Sequence, residues 1–276
     1  MTDHPILMTG GTGKTGRRVV SRLRDKGIAV RVGSRKGDPP FDWAARDTWD
    51  AATRGAASVL VVPYDKDPLT RPFVRHCVEA GVRRVVLLSG RGVDTPDYGD
   101  LDSLAGRIHV DGEDAVRTSG LEWTIVRPTW FAQNFTEGFF ADAVRSGELR
   151  LPAGDGAVSF VDAEDIAAVV VAALTTDKHV GETYELSGPR ALTFAEAATE
   201  ISRASGRTVR YVPLPAPEFI TELVAAGWPP ADAEAFADVI APIRKHLDTH
   251  ISDGVPRALG RAPRDFTEFA KSTPWP

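Results

Sequence analysis

Cysteine is nearly absent: Cys77 alone among 276 residues excludes an internal disulfide and a cysteine-rich metal centre, so no metal site is expected. Its helical, apolar setting, with no base near it in sequence, reads as a buried structural thiol rather than a nucleophile. Charge of one sign is not in excess either. Lysine and arginine number 33 against 38 aspartates and glutamates, a net charge of −5, and the basic residues are scattered. That argues against nucleic acid or an anionic membrane as the main partner. No apolar run approaches a membrane span, and the first residues lack the basic stretch of a secretion signal. A cytoplasmic protein, monomeric or homodimeric, is expected. What is present, 42% hydrophobic and 26% charged residues, suits a chain with a large core.

Residues 6–16 carry the strongest signal. The apolar run Ile6-Leu7-Met8 ends in Thr9-Gly10-Gly11-Thr12-Gly13-Lys14-Thr15-Gly16, followed by an alternating apolar and cationic segment. This order reads as a buried strand, a tight turn and a helix N-terminus, where backbone N–H groups and the helix dipole meet a phosphate. Two motifs compete for the turn. Gly13-Lys14-Thr15 resembles the end of a P-loop, but position 8 is methionine instead of glycine, and the strands near 58–63 and 84–89 end in Pro63 and Ser89. No carboxylate stands there to organise Mg²⁺. Gly10, Gly13 and Gly16 fit the G-x-x-G-x-x-G dinucleotide spacing, which is the better reading.

Short apolar runs at 6–9, 28–33, 58–62, 84–88 and 122–127 read as parallel strands covered on both faces. Helical segments are expected at 14–26, 70–80 and 103–119, with an irregular stretch at 36–57. Beyond Pro128 we expect a helix at 131–146, a strand near 157–161, a strongly apolar helix at 163–174 and a strand at 183–186. A helix at 193–205 opens on the capping box Thr193-x-x-Glu196. A strand at 209–214 and helices near 217–227, 230–248 and 263–271 follow. The fold expected is α/β, a Rossmann-type doubly wound parallel sheet with a smaller, mainly helical C-terminal substrate lobe. Residues 1–150 form the dinucleotide-binding domain and 151–276 the lobe, with later strands returning to the sheet.

At the end of the second strand an NAD site would place Asp or Glu. Here Ser34, Arg35 and Lys36 stand instead, donors suited to a 2′-phosphate, so NADP(H) is the expected cofactor. A solvated basic turn is the alternative. Asp42, between Phe41 and Trp43, lies at a distance suited to the adenine amine, unless the aromatics around it are core. Pro63, Tyr64 and Ser89 fall at strand tips that approach the ribose and nicotinamide. Gly10, Thr12, Gly13, Thr15 and Gly16, with Lys14 beside them, are assigned to the cofactor. Trp130, Phe131 and Asn134 would line a pocket for a small hydrophobic or aromatic substrate, while Phe135, Phe139 and Phe140 read as core.

The acid of an ordinary short-chain dehydrogenase is a tyrosine with a lysine four residues later. None of Tyr64, Tyr98, Tyr184 and Tyr211 has that lysine. The helix that would carry the pair offers His109, a proton donor at neutral pH or a plain surface residue. Ser89, His109 and Asn134 are thus the catalytic candidates.

Together these residues resemble the NmrA-like, atypical short-chain dehydrogenase family, over nearly the whole chain. The pattern looks like its festuclavine/agroclavine synthase branch and bacterial relatives. The resemblance rests on TGGTGKTG at 9–16, SR at 34–35, FDW at 41–43 with TW at 48–49, and VVLLSG at 85–90. It continues in GLEWTIVRPTWFAQNF at 120–135, GDG at 154–156, FVDAEDIAAV at 160–169 and ELSGPRALTFAEAA at 185–198. It implies a Rossmann fold, NADP(H), no Tyr-Lys dyad, and hydride delivery to an iminium or another activated double bond. An iminium already carries its charge and needs no acid; a quinone or enone takes its proton from solvent. The reading is therefore an NADPH-dependent reductase of a small imine, quinone or enone. The alternative is a non-catalytic NADP(H)-binding redox sensor acting through a protein partner.

Overall fold

The computed structural model describes residues 4–93, 95, 97, 98 and 103–275. The first three residues, read above for a secretion signal, lie outside them. In chain order the elements begin β1 (Ile6–Thr9), α1 (Lys14–Asp25), β2 (Val30–Gly33), α2 (Trp49–Thr53), β3 (Ser58–Val61), α3 (Thr70–Glu79), β4 (Arg84–Leu88), α4 (Leu104–Arg117) and β5 (Glu122–Pro128). Next come α5 (Asn134–Glu137), α6 (Ala141–Ser146), β6 (Glu148–Leu151), β7 (Ala157–Val158), α7 (Ala163–Thr175) and β8 (Glu182–Leu186). The chain closes with β9 (Leu192–Thr193), α8 (Phe194–Ser205), β10 (Arg210–Pro213), α9 (Ala216–Ala225), α10 (Pro230–Arg244), α11 (Gly254–Leu259) and α12 (Phe266–Ser272).

Six strands form one sheet in the order β2-β1-β3-β4-β5-β8, and every neighbouring pair is parallel. Because side chains alternate along a strand, each strand feeds two cores. Ile6, Met8, Leu60 and Val86 face α1 and α7, meeting Val19, Leu23, Ile166 and Val170. Leu7, Val59, Val85 and Leu87 face the opposite layer, with Phe73 and Cys77 of α3 and Val116 of α4. Strands buried on both faces leave little room for polar alternation, which is why the sequence runs are so uniformly apolar. Cys77 is fully buried, and desolvation pushes its thiol up to about 12, which keeps it inert.

A third core lies beyond β5. Phe135, Phe140, Phe160, Phe194, Phe266 and Phe269 pack there with aliphatic residues of α8 and α10. Around it stand two small sheets, β6–β10 parallel and β7–β9 antiparallel. The expected capping box is present: the Thr193 hydroxyl accepts from Glu196 N at 3.2 Å, and Glu196 Oε2 accepts from Thr193 N at 2.8 Å.

Three expectations need correction. The helix at 131–146 is broken into α5 and α6 by Gly138, whose backbone is extended. The strand near 157–161 shortens to two residues, with Val161 making a lone bridge to Phe131. Phe139 is 60% exposed, because the break turns it away from the core that takes Phe135 and Phe140. The irregular stretch at 36–57 contains α2, and its aromatic residues give it a core: Phe41, Trp43, Trp49 and Phe73 meet edge to face.

Candidate dinucleotide and substrate site

The glycine turn joins β1 to α1 at the point where strand order reverses, with β2 on one side of β1 and β3 on the other. Gly10 has φ +69°, and a Cβ there would lie 2.9 Å from Val62 Cβ. A Cβ on Gly16 would come within 2.2 Å of the Gly10 carbonyl oxygen, so the helix can approach the turn this closely only with glycine. Gly13 N donates to Gly10 O at 3.0 Å and closes the loop. Gly13 then caps α1 without any side-chain hydrogen bond, which leaves the first N–H groups of the helix for a ligand. Below them Thr15 Oγ1 is buried with no hydrogen-bond partner among the described residues. An open helix end and an orphaned hydroxyl fit a bound diphosphate. Beside the turn runs a groove of about 530 Å³ lined by Gly11, Thr12, Arg17, Ser21, Arg24 and Val32.

Ser34 and Arg35 follow β2 directly, and the Ser34 carbonyl accepts from Gly37 N at 3.0 Å and Phe41 N at 2.9 Å. That turn leaves Arg35 exposed beyond the strand end. Asp42 Oδ1 accepts from Ala44 N at 3.0 Å and its carbonyl accepts from Trp49 Nε1 at 3.0 Å, so the residue braces its own loop. Thr9 Oγ1 accepts from Val62 N at 2.8 Å and ties the tip of β3 to the turn, setting half-buried Pro63 and Tyr64 beside it.

At the tip of β4, Ser89 Oγ donates to Glu113 Oε1 at 2.7 Å and lies 3.4 Å from His109 Nδ1. Glu113 is 1% exposed, and Arg127 grips both of its oxygens, Nε at 2.8 Å and Nη2 at 2.7 Å. Arg117 Nη1 adds a contact at 2.8 Å. Burial alone would raise the Glu113 carboxyl, but hydrogen bonds from Arg127 and Ser89 and the arginine charges outweigh it and hold the group below its ordinary value. Burial lowers His109, against the pull of Glu113, and favours the neutral ring. Ser89 and His109, two candidates read separately from the sequence, therefore lie side by side. Glu113, which joins them, was missed; its spacing of four from His109 on one helix face was the available signal.

Asn134 is held elsewhere. Its Oδ1 accepts from Lys14 Nζ at 2.7 Å, so a residue of the glycine turn reaches the segment after β5. Lys14 also lies 5.5 Å from the Phe139 ring centroid. Burial, then the charges of Arg17 and Arg18, lower its ammonium pKa. Glu137 pairs with Arg17 and, at 2.9 Å, with Arg18. Gln133 fastens the same segment to α7: its Nε2 donates to Asp162 Oδ1 at 2.8 Å, and its Oε1 accepts from Ala163 N at 2.7 Å. Trp130 stacks on Phe140 at 5.7 Å, while Phe131 packs half-buried against the sheet core.

A parallel doubly wound sheet with an open phosphate turn at its switch point defines a dinucleotide-binding Rossmann protein. Residues 10–177 match a family described as NAD(P)H-binding, and the chain belongs to that family of NAD(P)H-dependent reductases. It is 36% identical over 278 residues to the (4-alkanoyl-5-oxo-2,5-dihydrofuran-3-yl)methyl phosphate reductase of Streptomyces griseus, covering 96% of each chain. It is 34% identical to the NAD(P)H azoreductase of Xenophilus azovorans, covering 97% of each. The agroclavine dehydrogenase of Claviceps fusiformis is 30% identical over 96% of this chain and 95% of its own, in keeping with the branch resemblance. Among solved structures, the NADPH-dependent quinone oxidoreductase of Escherichia coli complexed with NADPH has a TM-score of 0.78 at 24% identity, covering 96% and 98%. The negative transcriptional regulator NmrA shares the fold at a TM-score of 0.73 and 17% identity, covering 99% and 96%.

Proposed function

We propose that the protein is an NADPH-dependent reductase of a small hydrophobic acceptor, an imine or iminium, a quinone or an enone. The observation that carries this reading is the uncapped N-terminus of α1 over the orphaned Thr15 hydroxyl. When bound, NADPH supplies the hydride. Gly10, Thr12, Gly13, Thr15 and Gly16 hold its diphosphate, with Lys14 at their edge. Ser34 and Arg35 bind the 2′-phosphate and exclude the ribose contact an acidic residue would make. Pro63, Tyr64 and Ser89 border the ribose and nicotinamide.

Trp130, Phe131 and Asn134 orient a flat acceptor and keep water from it, which shortens the approach to the near-attack distance. Ser89 is positioned by Glu113, and His109 stands behind it as a neutral ring. No tyrosine–lysine acid is called for, because an iminium is neutralised by hydride itself and a quinone or enone draws its proton from solvent. Names among the relatives support the breadth of this class: one specifies a 5-oxo-2,5-dihydrofuran, another agroclavine, and a structural neighbour a quinone.

The test is anaerobic NADPH consumption against a panel of cyclic iminium ions, para-quinones and cyclic enones. Turnover of at least one class is expected. Tight NADPH binding without turnover across the panel, together with a co-purifying protein, overturns the enzyme reading in favour of a redox sensor.

A further inference from the structure

A second polar cluster lies between the sheet and the C-terminal lobe. Arg91 stands two residues beyond Ser89, and its backbone N donates to Pro128 O at 3.2 Å, across the tips of β4 and β5. Its Nη2 donates to Leu247 O at 3.0 Å, in the loop after α10. Its Nε and Nη1 are buried and have no hydrogen-bond partner among the described residues. Next to Leu247, Asp248 is 0% exposed. Asp248 Oδ1 accepts from the Tyr98 hydroxyl at 2.7 Å. Asp248 Oδ2 has no hydrogen-bond partner among the described residues.

Buried guanidinium N–H groups left unsatisfied cost free energy, and such groups gather where a ligand or a reacting atom completes them. Burial raises the Asp248 carboxyl, against the Tyr98 hydrogen bond and the Arg91 charge. The next carboxylate, Glu185, faces Arg127 Nη1 and His250 Nε2, each at 3.8 Å. The cluster therefore offers two donors and a positive charge at the tips of β4 and β5, two residues beyond Ser89.

We propose that Arg91, framed by Asp248 and Tyr98, receives the oxygen that turns anionic during reduction, so that the acceptor is a conjugated carbonyl compound, an enone or quinone. This rests on the reductase reading above. An enone gains hydride at its β carbon from the dihydronicotinamide, which is oxidised to nicotinamide. The C=C electron pair shifts, the carbonyl oxygen takes the negative charge of an enolate, and water protonates the α carbon. Donors placed on that oxygen bind the enolate more tightly than the ground-state carbonyl, which lowers the barrier. An iminium develops no such charge and gains nothing from Arg91.

The test compares Arg91→Met and Arg91→Lys with the parent protein, using 2-cyclohexenone, 1,4-naphthoquinone and N-methyl-3,4-dihydroisoquinolinium. Arg91→Met should lower kcat/KM for the two carbonyl acceptors about a hundredfold and shift their ratio to the iminium by about tenfold or more. Arg91→Lys should recover part of the loss. A second readout needs no turnover: with NADP⁺ present, the parent protein should bind 4-nitrophenol as its coloured phenolate at a pH below that of the free phenol, and Arg91→Met should abolish that shift. Equal losses for all acceptors at unchanged melting temperature, or no phenolate shift in the parent protein, overturn the proposal. Failure of the reductase reading is separate: it is absence of turnover with every acceptor, and the phenolate titration still decides the role of Arg91.

Discussion

Glu113 holds Ser89, Arg117 and Arg127 together from a position 1% exposed. Removing its charge breaks the two-point contact with buried Arg127, and Glu113→Gln should cost about 3 kcal/mol in a urea titration. The depressed Glu113 pKa means its contribution is present above the ordinary carboxylate range and lost as pH falls through the folded value. Asp265, held down to about 2 by Arg190, loses its contribution later on the same descent. His109 adds to acid lability earlier, since a ring kept neutral by burial disfavours folding once pH drops below its ordinary value. Unfolding followed from pH 7 to pH 2 should thus show stability declining throughout, and a flat profile would refute these assignments. Arg35→Asp should weaken NADPH by about 2 kcal/mol and NADH far less, read by fluorescence titration. Equal losses would remove Arg35 from the phosphate role.

The elements nearest the glycine turn were legible because local chemistry dictates them: an apolar run, a turn requiring left-handed backbone at Gly10, and a helix face of Val19, Val20 and Leu23. The segment after β5 was not. Its apolar spacing reads as one helix, but Gly138 sits at the break against Lys14 Nζ from the start of α1 and Asn134 Oδ1 from its own segment, which a Cβ would meet at 2.6 and 2.8 Å. Gly138→Ala should therefore separate Lys14 from Asn134 and alter substrate KM more than cofactor affinity, a split that steady-state kinetics resolves. Gly16→Ala places a methyl against the Gly10 carbonyl; it should destabilise by about 2 kcal/mol and lower dinucleotide affinity, measured by thermal melting and NADPH titration.

For the whole molecule, the sheet depends on chain beyond residue 150. The edge strand β8 pairs with β5, and α7 supplies Ile166, Val169 and Val170 to the core shared with α1. Arg84, 2% exposed in β4, donates to the Thr176 carbonyl at 3.1 Å and pairs with Asp177. A fragment ending at residue 150 should lack a cooperative thermal transition, whereas the full chain should show one. The described helices include none long and apolar enough to cross a membrane.

The sequence by itself determined the strand–turn–helix at residues 6–25, the parallel sheet and the basic end of β2, because short-range spacing and glycine geometry specify each of them. Only the tertiary structure decided that Glu113 lies under Ser89, that Lys14 reaches Asn134, and that Arg91 bonds the Leu247 carbonyl across 156 residues of chain. Those pairings depend on which faces the helices bury and where loops return, and a linear pattern does not encode that when the partners are single polar residues.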